Sequence, residues 1–89
     1  MQKDNKKMYV SMTDKMMSNW GRSEGKTNKL IFICKDYNEA EIVKNNAESR
    51  GDQSYINICT RKPYYNNKYN LVQYITKQIY PKWYIKNAF

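Results

Sequence analysis

Eighty-nine residues, 40% hydrophobic and 15% aromatic, carry enough apolar surface for one core and too little for two, which excludes a multidomain reading. Sixteen Lys and Arg against eight Asp and Glu give a net charge of +8, and a field of that size on so small a body attracts polyanions or acidic protein faces. The chain has no His, and its two Cys, Cys34 and Cys59, lack the spacing of a zinc site, so no structural metal and no cofactor is expected.

Met1 to Lys7 are polar and charged and read as a flexible leader, residues 1–7, ahead of a single domain over residues 8–89. Met8 to Thr13, with the β-prone Tyr9 and Val10, predicts a first strand. A long connection, Asp14 to Asn28, follows and holds Trp20, Gly21 and Gly25; at that length it has a functional or a mobile role. Leu30 to Cys34 predicts a central strand, since both of its alternating faces are apolar.

Asp36 or Asn38 caps the next element, a helix with Ala40, Val43 and Ala47 at helical spacing and Gly51 as its stop. Its Glu39, Glu41 and Glu48 read as solvated helix surface rather than paired catalytic acids. Tyr55 to Thr60 predicts a strand with Ile56 and Ile58 inward. Pro63, Asn66 and Asn67 give residues 61–68 turn chemistry, read as a hairpin into a last strand over Tyr69 to Thr76. Tyr80 to Tyr84 reads as a helical turn that presses aromatics onto the sheet edge, with Tyr74, Trp83 and Tyr84 as packing residues. The order predicts an α+β fold: a small three- to four-stranded, mainly antiparallel sheet with one helix across a face and a short C-terminal helical turn.

The charge is unevenly spread. Residues 1–35 hold eight basic and three acidic side chains, residues 36–52 two and five, and residues 53–89 six and none. The longest apolar run, Leu30 to Cys34, falls far short of the roughly 20 residues of a membrane span, and nothing resembling an export signal starts the chain. The two thiols read as small apolar residues in a reducing cytosol.

Gly21-Arg22-Ser23-Glu24-Gly25-Lys26-Thr27 imitates a phosphate-binding loop. It is one residue short between its glycines and leads into a strand where the motif needs a helix, so it reads as a basic loop that contributes Arg22 and Lys26. Without His, neither Ser11 near Asp14 nor Cys34 near Lys35 forms a nucleophile and base. The expectation is a protein that is not an enzyme.

The pattern that stands out is basic residues interleaved with aromatics after residue 60. Arg61, Lys62, Tyr64, Tyr65 and Lys68 lie on the predicted turn and point outward. Cations that contact phosphates beside rings that stack on bases suit single-stranded nucleic acid; the same mixture suits a protein-interface hot spot. Asp14, Lys15 and Trp20 in the long connection form a second candidate site.

Met8-Tyr-Val-Ser-Met-Thr-Asp-Lys with Ser18-Asn-Trp-Gly, Glu39-Ala-Glu-Ile-Val with Asn46-Ala and Arg50-Gly, and Tyr55-Ile-Asn-Ile-Cys-Thr-Arg-Lys-Pro-Tyr-Tyr resemble a group of small, mostly uncharacterised phage and prophage proteins. The resemblance spans residues 8–89 and implies a bacterial cytoplasm during infection. It also implies stoichiometric inhibition of a host defence protein or nucleoprotein complex, in the manner of anti-CRISPR proteins. Apart from that resemblance, the chain is expected to be a monomer or homodimer with no membrane partner.

Overall fold

A computed structural model describes residues 7–15 and 25–86. Strands β1 (Met8–Asp14), β2 (Thr27–Cys34), β3 (Gln53–Cys59) and β4 (Asn70–Ile75) form one sheet in the order β3-β1-β2-β4, and helix α1 (Tyr37–Arg50) joins β2 to β3. The pairs β1/β2 and β1/β3 are antiparallel, whereas β2/β4 is parallel. The sheet is therefore mixed, with one helix across it and a 3₁₀ turn over Pro81–Tyr84.

Local chemistry sets these elements. Asp36 Oδ1 accepts the Glu39 N–H at 2.9 Å, and Gly51 takes the left-handed φ of +81° that ends α1. Ala40, Val43 and Ala47 are fully buried and, being small, let the helix lie close on the sheet. Beneath them Val10 and Met12 from β1 and Leu30, Phe32 and Cys34 from β2 complete the core with Ile75, Trp83 and Tyr84; each large side chain contributes about 1.5–3 kcal/mol by leaving water.

The C-terminal turn is docked by specific contacts. The Trp83 ring lies 4.7 Å from Phe32 between centroids, and Arg50 covers Trp83 at 4.8 Å. Tyr84 donates its hydroxyl to the carbonyls of Ile33 and Ile75, tying β2 to β4. Buried Asn46 donates to the carbonyls of Trp83 and Ile85 at 2.9 and 3.1 Å.

Three expectations change. Glu39 is not solvated surface. It is 7% exposed, receives the Lys35 N–H and pairs with Lys77 at 2.9 Å. Burial works to raise its pKa, but Lys35 and Lys77 outweigh that and hold the carboxyl below its ordinary range. Tyr74 sits at the sheet edge as expected but is 45% exposed rather than core.

The third concerns residues 61–68, which do not close a hairpin. The α1 crossover delivers β3 to the far side of β1, and the free side of β2 is then the position β4 takes, so β3 and β4 occupy opposite edges. The turn chemistry survives locally, since Asn66 Oδ1 accepts the Lys68 N–H and Asn66 O accepts from Tyr69 and Asn70. Residues 60–69 instead form a strap that runs from the end of β3 to the start of β4. The α1 and strap crossovers go in opposite directions over opposite faces and so share one hand, as parallel connections in one sheet do.

Candidate functional site

The sheet face away from α1 takes the alternate residues of each strand: Tyr9, Ser11 and Thr13 from β1, Lys29, Ile31 and Ile33 from β2, Asn57 and Cys59 from β3, and Val72 and Tyr74 from β4. The strap lies on this face. Tyr65 reaches Lys29, with the ammonium 5.0 Å from its ring centroid, and Lys62 sits 4.3 Å above the Tyr74 ring. Ser11 and Ile31 are buried although they point away from the helix.

Lys29 stands on this face on the central strand β2, near the end of the sheet where that strand begins. Its Nζ donates to Thr13 Oγ1 at 2.6 Å and lies 5.8 Å from the Tyr55 centroid, so hydroxyl and two rings surround it. Burial lowers its pKa, and among the described residues no carboxylate pairs with it. Three of the carboxylates are engaged with other cations. Glu39 and Glu48 hold Lys77 and Lys44, and Asp52 holds Arg50 through two hydrogen bonds of 3.1 Å.

Tyr55 is placed by a backbone irregularity. The β1/β3 register shifts between Ser11 and Thr13, so Tyr55 and Ile56 together oppose Met12 in a bulge. Ile56 packs on the core, and Tyr55 takes φ +53° with its ring 78% exposed. A bulky residue in the left-handed region costs about 1–3 kcal/mol, and such strain gathers at functional sites.

The structure sorts the expected site residues into two groups. Arg61, Lys62, Tyr64 and Lys68 are exposed on the strap, and Tyr65 is half-buried against Lys29. Asp14, Lys15 and Lys26 lie at the sheet end where β1 finishes and β2 begins, close to the end of the strap, since the Thr27 N–H donates to Tyr69 O. Trp20 and Arg22 lie outside the described residues. The sequence reading missed Lys29 and Tyr55 and left Tyr74 to packing. A lysine alternating with Ile31 and Ile33 was the available signal for Lys29, whereas no residue pattern announces the φ of Tyr55.

This face offers cations, hydroxyls and rings. Among the described residues no group of three His, Cys, Asp or Glu converges to hold a metal ion, and no helix is long and apolar enough to cross a membrane. Burial first, with the Glu39 and Asp36 charges, pushes the Cys34 thiol up to about 12, so it stays protonated and is a poor nucleophile. Compared with family models, curated proteins and solved structures, the chain finds no match.

Proposed function

We propose that the chain is a non-enzymatic binding protein whose strapped face holds single-stranded nucleic acid. The observation that carries this reading is Lys29, a half-buried ammonium with no carboxylate partner among the described residues, set between the rings of Tyr55 and Tyr65. A phosphate would supply the missing counter-charge, and the exposed rings of Tyr55 and Tyr64 would stack bases. Arg61, Lys62 and Lys68 extend the positive track along the strap, and residues 53–89 contain no acidic side chain to oppose it. Lysine is depleted at protein interfaces while aromatics and Arg are enriched, so the Lys-rich track favours a phosphate backbone over a protein face.

Inhibition of a bacterial defence complex is the alternative, supported by the exposed tyrosines, which also suit a protein hot spot. The test is fluorescence anisotropy with labelled single strands of about 12 nucleotides, a length within reach of one small domain. Binding that weakens steeply with salt and is lost in Lys29→Met with Tyr55→Ala supports the proposal. No binding to DNA or RNA at low salt overturns it and leaves the protein partner.

A further inference from the structure

The two edges of the sheet are guarded differently. On β3 the bulge and the left-handed Tyr55 interrupt the outer row of main-chain groups, which is how natural edges are blunted. β4, Asn70-Leu71-Val72-Gln73-Tyr74-Ile75, has no charge, no proline and no register shift against β2. Among the described residues it is the last strand of the sheet, so one row of its N–H and C=O groups faces outward. Exposed apolar side chains stand on it and one turn beyond its end: Tyr74, Ile79 and Tyr80.

We propose that β4 pairs antiparallel with β4 of a second copy of this chain, with Gln73 on the two-fold axis. The sequence of β4 is complementary to its own reverse in this register. Val72 then faces Tyr74 of the other copy on the strap side, Leu71 faces Ile75 on the helix side, and only Gln73 meets itself. The neighbouring even registers waste these apolar pairs: the one centred on Val72 sets Asn70 against Tyr74 and Leu71 against Gln73, and the one centred on Tyr74 sets Gln73 against Ile75 and Val72 against Thr76. About four to six main-chain hydrogen bonds would form.

A strand pair buries less than the roughly 1,000 Å² of a stable interface, and two bodies of +8 repel. The association is therefore weak, reversible and strengthened by salt, which screens the repulsion. An axis perpendicular to the sheet puts both straps on the same side of an eight-stranded sheet. The inference rests on the strand edge alone and holds whatever the strapped face binds.

Sedimentation equilibrium of the wild type up to roughly millimolar concentration, near the affinity limit of a weak pair, should show a monomer–dimer equilibrium that shifts toward dimer as salt rises. Gln73→Lys and Gln73→Glu should each weaken it about fivefold or more by setting like charges opposite one another. An equimolar mixture of the two should restore a heterodimer. Circular dichroism melts check that both variants fold. If either does not, Gln73→Cys in a Cys59→Ala background must cross-link to itself, since directly opposed Cα atoms lie within disulfide reach, while Asn70→Cys must not. A wild type that stays monomeric throughout, a dimer indifferent to both charges, or a Gln73→Cys chain that fails to cross-link overturns the proposal.

Discussion

Lys29 Nζ donates to Thr13 Oγ1 at 2.6 Å, and the two residues are direct cross-strand partners in the β1/β2 register. The contact fixes the ammonium over the sheet rather than letting it swing to solvent, where a surface lysine would spend its rotamer freedom. Lys29→Met keeps the aliphatic stem and removes the charge. On the proposed function it flattens the salt dependence of single-strand binding by about 0.7, the slope of one phosphate contact. Burial depresses the Lys29 pKa below the ordinary 10.5, so just under that pH the unfolded chain holds a proton that the folded chain has released. Stability contributed by this residue therefore rises with pH through that window, and single-strand affinity falls. Lys29→Arg does not titrate there, so the difference between wild type and this variant isolates both trends from the other alkaline titrations, as read by melts and anisotropy from pH 8 upward.

Tyr55 tests whether strain and binding share one residue. Tyr55→Gly relieves about 1–3 kcal/mol of backbone strain and gives back about 0.4–1 kcal/mol in unfolded-chain entropy, so stability should rise by about 1 kcal/mol. The exposed ring is lost with it, and single-strand affinity should drop by about 1–3 kcal/mol. Urea titration reads the first change and anisotropy the second. A variant that is less stable, or one that binds as well as the wild type, would count against a functional bulge.

On the helix side, Glu39 is structural. Replacing it with Gln removes the charge that holds Lys77, together with its charge-assisted bond from Lys35 N–H, and should cost about 1–2 kcal/mol. The folded pKa lies below the ordinary 4.5. The stabilisation is thus present above that value and is lost as pH falls through the folded pKa. The melting temperatures of wild type and Glu39→Gln should converge in acid, with nucleic-acid binding at neutral pH unchanged.

Alkali should act through the opposite sign. Burial raises the Cys34 pKa from 9.0 to about 12 and raises that of Tyr84 as well. Between pH 9 and 12 the unfolded chain loses protons that the folded core retains, so stability falls as pH rises. Cys34→Val, close in volume and without a titrating group, should flatten the lower part of that decline in a pH series of thermal melts.

The elements were readable because the cues are local. Apolar alternation marks β2, Asp36 and Gly51 bracket α1, and Pro81 starts the turn that seats Trp83. Strand pairing was not local. The Asn66 turn has the same chemistry in a hairpin as in a strap, and the choice depends on which edge the α1 crossover has already filled. The site suffered for it. Tyr64 and Tyr65 look equivalent in sequence, yet one is 85% exposed and the other half-buried on Lys29. That difference arises only when the strap crosses the sheet.

Arg61 and Lys62 separate the two classes of partner. Both are exposed at the start of the strap, and Lys62 also sits over Tyr74. If the ligand is nucleic acid, replacing both with Ala removes one or two phosphate contacts, so the plot of log affinity against log salt should flatten by roughly one to two units. Tyr64→Ala should then lose about 1–3 kcal/mol on single strands and far less on duplex, whose bases are already stacked. If the ligand is an acidic face of a defence protein, the same pair of charges lies at the rim and steers encounter, so the double variant should slow association while dissociation changes little. Titrations against single-stranded DNA, RNA and duplex at several salt concentrations, with association rates followed by stopped flow, read both signatures. A salt slope that is unchanged in the double variant would remove the strap from the binding surface, since two exposed cations cannot leave a phosphate track without releasing fewer counterions.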